Sequence, residues 1–129
     1  MAFKLQPNTA PFSYKITIPV VNDNGTTIRH QVEFRFKRLS RLDFDAMVSE
    51  HRAPEDQDGK ISAAEALDSN TAQVMAFTVG WSGVTGADDQ QLEFTAANVR
   101  DFLNLVPGAF NALISGYIEA WQGGASRKN

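Results

Sequence analysis

One stretch of the chain spaces oxygen-bearing side chains as a cation site would. In Pro54-Glu-Asp56-Gln-Asp58-Gly59-Lys-Ile61-Ser62-Ala-Ala-Glu65, Gly59 can serve as the sixth residue of an EF-hand loop. Asp56, Asp58, Ser62 and Glu65 then fall at ligand positions, and Ile61 at the apolar one. The first position is Pro54, which has no side-chain oxygen, and no second loop is present to pair with it. An acidic loop followed by a Ser62/Glu65 capping box explains Gly59, Ser62 and Glu65 as well. Asp56, Asp58 and Glu65 are therefore weak calcium candidates, and no metal or other cofactor is expected.

Other chemistry finds less support. Gly80-Trp-Ser82-Gly83-Val84 approaches a nucleophile elbow, but Val84 stands where the second glycine belongs, and no strand is expected before it. Gly59-Lys60 is not a P-loop, because Ile61 replaces the Ser/Thr and Pro54 the first glycine. His30, on the inward side of its strand, and His51, at a helix end, are the only histidines, and neither has a ligand-spaced partner. The chain has no cysteine, which excludes disulfides, thiol nucleophiles and thiolate metal sites. No catalytic constellation emerges, and the expectation is a protein that is not an enzyme.

The elements that would carry these residues divide into a β front and a helical remainder. Tyr14, Ile16, Ile18 and Val20 alternate with polar residues, as do Ile28, Val32, Phe34 and Phe36. Between them, Asn22-Asp23-Asn24-Gly25-Thr26 is a turn signal. A two-residue Asn24-Gly25 loop would set Ile18 against Gln31. A three-residue loop, Asp23-Asn24-Gly25, sets Val20 opposite Ile28, Ile16 opposite Val32 and Tyr14 opposite Phe34, with Gly25 in the left-handed position. Face matching selects the second register, and Pro19 belongs on an edge or at a bulge.

Ser40 can cap a helix over about 41–51, with Phe44, Met47, Val48 and His51 on its apolar side. Residues 53–60 are a polar loop, and the capping box at Ser62 starts a helix to about Val79, with Leu67, Val74 and Phe77 or Thr78 inward. Gly80, Gly83 and Gly86 mark a loop through Asp89, anchored on the core by Trp81. Thr95 can cap a third helix, with Val99, Phe102, Leu103 and Val106 at helical spacing. Pro107 stops it and suits the first turn of the next, whose apolar stripe is Phe110, Leu113, Ile114, Tyr117, Ile118 and Trp121. That stripe reads either as core or as a contact surface.

The expected fold is thus α+β, one domain, with an N-terminal antiparallel β-hairpin followed by about four helices. The hairpin region covers 1–39, the helical region 40–122 and a flexible tail 123–129. The 129 residues suit one core, and 43% hydrophobic residues suffice to bury it. No apolar run approaches the ~18–20 residues of a membrane span, and 1–10 has no signal-peptide character. An intracellular, soluble protein is expected.

Net charge is −3, but unevenly spread. Residues 1–41 hold seven basic side chains against Asp23 and Glu33, while residues 42–129 hold five against thirteen acidic ones. The two parts can neutralise each other within one chain, or steer one copy's front onto another's flank. A net acidic protein repels phosphate, so nucleic acid is not an expected partner.

The chain resembles the tail assembly chaperones of long-tailed, non-contractile bacteriophages and prophages. The likeness runs through Pro7-Asn8, Tyr14-Lys-Ile-Thr-Ile-Pro19, Val32-Glu-Phe-Arg-Phe-Lys37, Val79-Gly-Trp81 and Phe94. It continues through Asn98-Val-Arg-Asp-Phe-Leu103, Val106-Pro-Gly-Ala109, Tyr117-Ile-Glu-Ala-Trp121 and Arg127-Lys-Asn129. Residues 53–65 depart from the pattern and read as an insertion. The resemblance implies a chaperone that coats the tape measure protein, keeps it soluble and helps tail tube subunits polymerise around it. It implies a ring or spiral of copies in the host cytoplasm, absent from the finished virion. It also implies a longer frameshift product that engages the tail tube protein. Arg127-Lys128-Asn129 can be encoded as A-AAA-AAC, a slippery heptamer. For self-assembly, the basic residues Arg35, Lys37, Arg38 and Arg41 are the interface candidates, and the hairpin offers an edge for pairing. A minor structural tail protein is the competing expectation, and a degenerate calcium module the more distant one.

Overall fold

The computed structural model describes residues 2–123. Two long strands, β1 (Phe12–Val21) and β2 (Thr27–Phe36), form the hairpin, followed by α1 (Arg41–Glu50) and α2 (Ala63–Phe77). A third strand, β3 (Thr78–Ser82), precedes α3 (Ala96–Leu105) and α4 (Ala109–Tyr117), and the last helix continues as a π-helical turn over Ile118–Gln122. The sheet order is β1-β2-β3, all antiparallel.

The hairpin register is the one that face matching selects: Val20 opposite Ile28, Ile16 opposite Val32, Tyr14 opposite Phe34. The Asn22 N–H donates to the Thr26 oxygen (2.9 Å) and Gly25 N–H to the Asn22 oxygen (3.0 Å), closing a three-residue loop. Gly25 takes φ +78°, where a side chain would be strained. With Asn22 and Thr26 bonded, the ladder alternation turns the N–H groups of Ser13, Lys15, Thr17 and Val21 toward the outer edge of β1. Pro19 falls in that set, so its missing N–H removes no ladder bond.

The third strand corrects the expectation of a helix to about Val79 and a glycine loop after it. The helix stops at Phe77, and Thr78–Ser82 pairs with Glu33–Phe36 through a bulge between Arg35 and Phe36. The bulge places both Thr78 and Trp81 on the buried side, opposite Phe36 and Phe34, although they are three residues apart. The strand takes its first two residues from the end of the expected helix and the rest from the expected glycine loop. Trp81 does anchor the following loop: its indole N–H donates to the Leu92 oxygen (2.8 Å).

The helix starts follow their caps. Asp43, Glu65 and Asn98 N–H groups each donate to the hydroxyl of Ser40, Ser62 and Thr95 (3.1 Å in each case). Pro107 differs from expectation. It lies in a turn in which Ala109 N–H donates to the Val106 oxygen (2.9 Å), and α4 starts beyond it. All helices pack on one face of the sheet. The core is Ile16, Ile18, Val32, Phe34, Phe36, Val74, Phe77, Val99, Leu113 and Tyr117, with Met47 and Leu103 at its margin. Gly116 is where α4 meets β1; a Cβ there would lie 2.1 Å from Ile16 Cδ1.

Candidate interaction surfaces

The two faces of the sheet differ completely. On the closed face, Tyr117 stacks on Phe77 at 4.6 Å and meets Phe36 edge-on at 5.2 Å. Its hydroxyl donates to the Lys37 oxygen (2.8 Å) and accepts from Leu39 N–H (3.1 Å). Burial raises the Tyr117 phenol above its ordinary value, opposed by the Leu39 N–H and Gln122 bonds to its oxygen. One turn on, Trp121 Nε1 (2.7 Å) and Gln122 Nε2 (3.0 Å) both donate to the Leu39 oxygen. The wider π turn brings these two consecutive residues onto one carbonyl, and Gly123 ends it at φ +84°. The C-terminal helix thereby clamps the link between β2 and α1. The aromatic stripe divides accordingly: Leu113 and Tyr117 are core, Phe110 and Ile114 half-buried, Trp121 partly exposed.

The open face carries the side chains of alternating polar register: Ser13, Lys15 and Thr17 on β1, Thr27, Arg29, Gln31, Glu33 and Arg35 on β2, all exposed. Lys37 follows in the same register and is exposed too. Four cations thus share one face with a single carboxylate, Glu33. The one salt bridge among the described residues is Arg100 to Asp68 (2.8 Å), in the helical layer. A shallow depression of about 270 Å³ opens on this face above Gly80, lined by Ser13, Glu33, Arg35, Trp81 and Ser82.

The interface candidates therefore separate. Arg35 and Lys37 stand on the open face, and Arg41 is exposed at the start of α1. Arg38 turns the other way. Its Nε donates to the Ala10 oxygen (2.8 Å), and its guanidinium lies 5.0 Å from the Phe12 ring centre and 5.2 Å from that of Trp121. It ties the N-terminal segment to the helical clamp. Sequence reasoning did not group Lys15 and Arg29 with Arg35 and Lys37, though Lys15, Arg29 and Arg35 have odd positions on paired strands and Lys37 follows in step, which the selected register already implied.

The calcium candidates have local partners. Asp56 Oδ1 accepts from the N–H groups of Asp58 and Lys60 (2.8 Å each), and Gly59 takes φ +75°. Glu65 Oε1 accepts from the Ser62 hydroxyl (3.0 Å) in the capping box. Among the described residues, no group of three or more His, Asp or Glu side chains is placed to hold a metal ion. Ser82 has a strand before it after all, but Gly83 and a loop follow, not the helix of a nucleophile elbow. His30 shares the inward register yet is exposed, because at that level the helical layer covers Ile18 on β1 and leaves the β2 side open. His51 caps α1 and accepts the Ser69 hydroxyl at its carbonyl. It lines a groove of about 620 Å³ between α2 and α3 with Asp68, Thr71, Met75, Ala97 and Arg100. Arg127, Lys128, Asn129 and the tail from 124 lie outside the described residues.

Two further features offer contacts. Among the described residues, no strand lies beside the outer edge of β1. The N-terminal segment before it has no regular secondary structure and presents Phe3 (89% exposed) and Leu5 (93%) to solvent. No described helix is long and apolar enough to cross a membrane.

The described residues thus leave one sheet face, one strand edge and an apolar N-terminal segment open to contacts. The family model described as phage tail assembly chaperone matches residues 1–129. The chain belongs to this family, whose members act in assembling phage tails with other tail proteins. Searches of curated proteins and of solved structures each return no significant match.

Proposed function

We propose that this protein binds the tape measure protein in the host cytoplasm, keeps it soluble, and promotes tail tube assembly around it as a ring or spiral of copies. The observation that carries the reading is the family match along the whole chain. The surface supports it physically. A chaperone for a long partner needs contacts that are apolar, repeated and reversible. The free edge of β1 supplies main-chain donors and acceptors to an extended segment, and Phe3 and Leu5 supply apolar area without opening the core. Such contacts recruit many copies along one partner and release as tube subunits replace them. The protein then leaves before the virion is finished and performs no catalysis. A longer product made by frameshifting near Arg127-Lys128-Asn129 links the tape measure complex to the tail tube protein.

Co-expression with the neighbouring tape-measure-like gene product tests this. The long partner is expected in the soluble fraction, co-eluting with many copies of this chain. A partner that stays insoluble with both chain products present contradicts the reading. Detection of this chain in purified particles would make it a structural tail protein instead. Synonymous codons that break the A run are expected to abolish the longer product.

A further inference from the structure

Among the described residues the open face has no partner, and its composition restricts what can cover it. Lys15, Arg29, Arg35 and Lys37 project from it against Glu33 alone. The complementary charge lies elsewhere on the same molecule. Between residues 43 and 68 stand eight carboxylates, on α1, the following loop and the start of α2, against Arg52 and Lys60. Asp43, Asp45, Glu50, Glu55, Asp58 and Glu65 are all exposed. This flank belongs to the helical layer, since Met47 and Phe44 pack into the core from the closed side. The basic face and the acidic flank therefore cannot neutralise each other within one copy.

We propose that the open face of the sheet is the docking surface for a second copy of this chain, which presents its acidic flank of α1, the 53–61 loop and the start of α2. The inference rests on the assembly part of the function proposed above and gives that assembly its interface. A patch on one side of the molecule that fits a different patch on another side makes a heterologous contact. Such a contact repeats head to tail and closes into a ring or runs on as a spiral. The depression above Gly80 gives the contact a shape as well as a charge. Nothing lies within 4 Å of a Cβ placed on Gly80, so the space between Arg35 and Glu33 is free for an incoming side chain. Charge attraction between such faces weakens with salt, over a screening length of ~8 Å at physiological ionic strength. Arg38, which holds Ala10 and lies over Phe12 and Trp121, takes no part in the contact.

The test uses the chain alone, without the tape measure protein, in sedimentation velocity across concentration and salt. The native chain is expected to form larger species that dissociate as salt rises. A face-reversed variant (Arg29→Glu, Arg35→Glu, Lys37→Glu) and a flank-reversed variant (Asp45→Lys, Glu50→Lys, Glu55→Lys) each stay protomeric. Mixed one to one, they reassemble, because every reversed patch then meets its complement. Gly80→Gln fills the depression without changing charge and weakens association several-fold, while circular dichroism shows each variant folded. A native chain that is protomeric at low salt overturns the inference, as does a face-reversed variant that assembles like the native chain. A mixture that stays protomeric overturns the pairing of these two patches. Co-expression separates this from the function itself: if a protomeric native chain still solubilises the tape measure protein, the interface fails and the chaperone reading stands.

Discussion

The two halves of the hairpin have the same alternation and the opposite fate. Near the body, Ile16, Val32, Phe34 and Phe36 are buried under α2, α3 and α4. Toward the turn, the inward-register Ile28 is 41% exposed and His30 is exposed, although Ile18 opposite His30 is still buried. Period-two patterning decides which face a side chain joins, and the length of the covering layer decides whether that face is dry. The half that is covered holds the fold together. The half that is not, with the free edge of β1 and the open face, is left for contacts.

Substitutions can break this contrast. Phe36→Ala removes a ring packed between Phe12, Phe77 and Tyr117, and is expected to cost about 3–5 kcal/mol by denaturant unfolding. Ile28→Ala in the uncovered half is expected to cost about 1 kcal/mol or less in the same titration. Equal costs would contradict the division.

Tyr117→Phe keeps the stacked ring but strands the Lys37 carbonyl and the Leu39 N–H, at an expected cost of about 1–3 kcal/mol. The same residue gives a pH signature. Its folded-state phenol holds its proton more tightly than the ordinary value of 10.0. The stability this contributes is intact below that value and is lost as pH rises through the raised one. Unfolding followed by fluorescence should show the native chain weakening at alkaline pH, and Tyr117→Phe weakening less steeply.

Thr78→Val tests the junction of α2 and β3. Thr78 is 2% exposed and its hydroxyl has no hydrogen-bond partner among the described residues. Replacing it with an isosteric methyl is expected to raise stability by about 1 kcal/mol. The smallest effect belongs to the open face. Arg29→Glu is expected to change stability by no more than ~0.5 kcal/mol, while lowering self-association in sedimentation.

Much of this architecture was legible in the residues. Asn24-Gly25 and the matching of apolar faces determined the hairpin register, and Ser40, Ser62 with Glu65, and Thr95 marked the helix starts. What stayed hidden has physical causes. Thr78 and Trp81 both face inward only because a bulge absorbs Val79, so no period-two pattern announces β3. The π turn needs no special residue, and its effect appears only where Trp121 and Gln122 meet Leu39. Arg38 looked like its basic neighbours, but the chain turns after Phe36 and aims it at Phe12 and Trp121. The contact surfaces were legible as charge and exposure, whereas their separation onto opposite sides required the fold.

Hydrogen exchange tests the central claim most directly, comparing this chain alone with the same chain in the co-expressed tape measure complex. The account predicts new protection at the outward amides of Lys15, Thr17 and Val21 and in the segment around Phe3 and Leu5, with core amides unchanged. Protection confined to the groove between α2 and α3, with the β1 edge still exchanging freely, would contradict it.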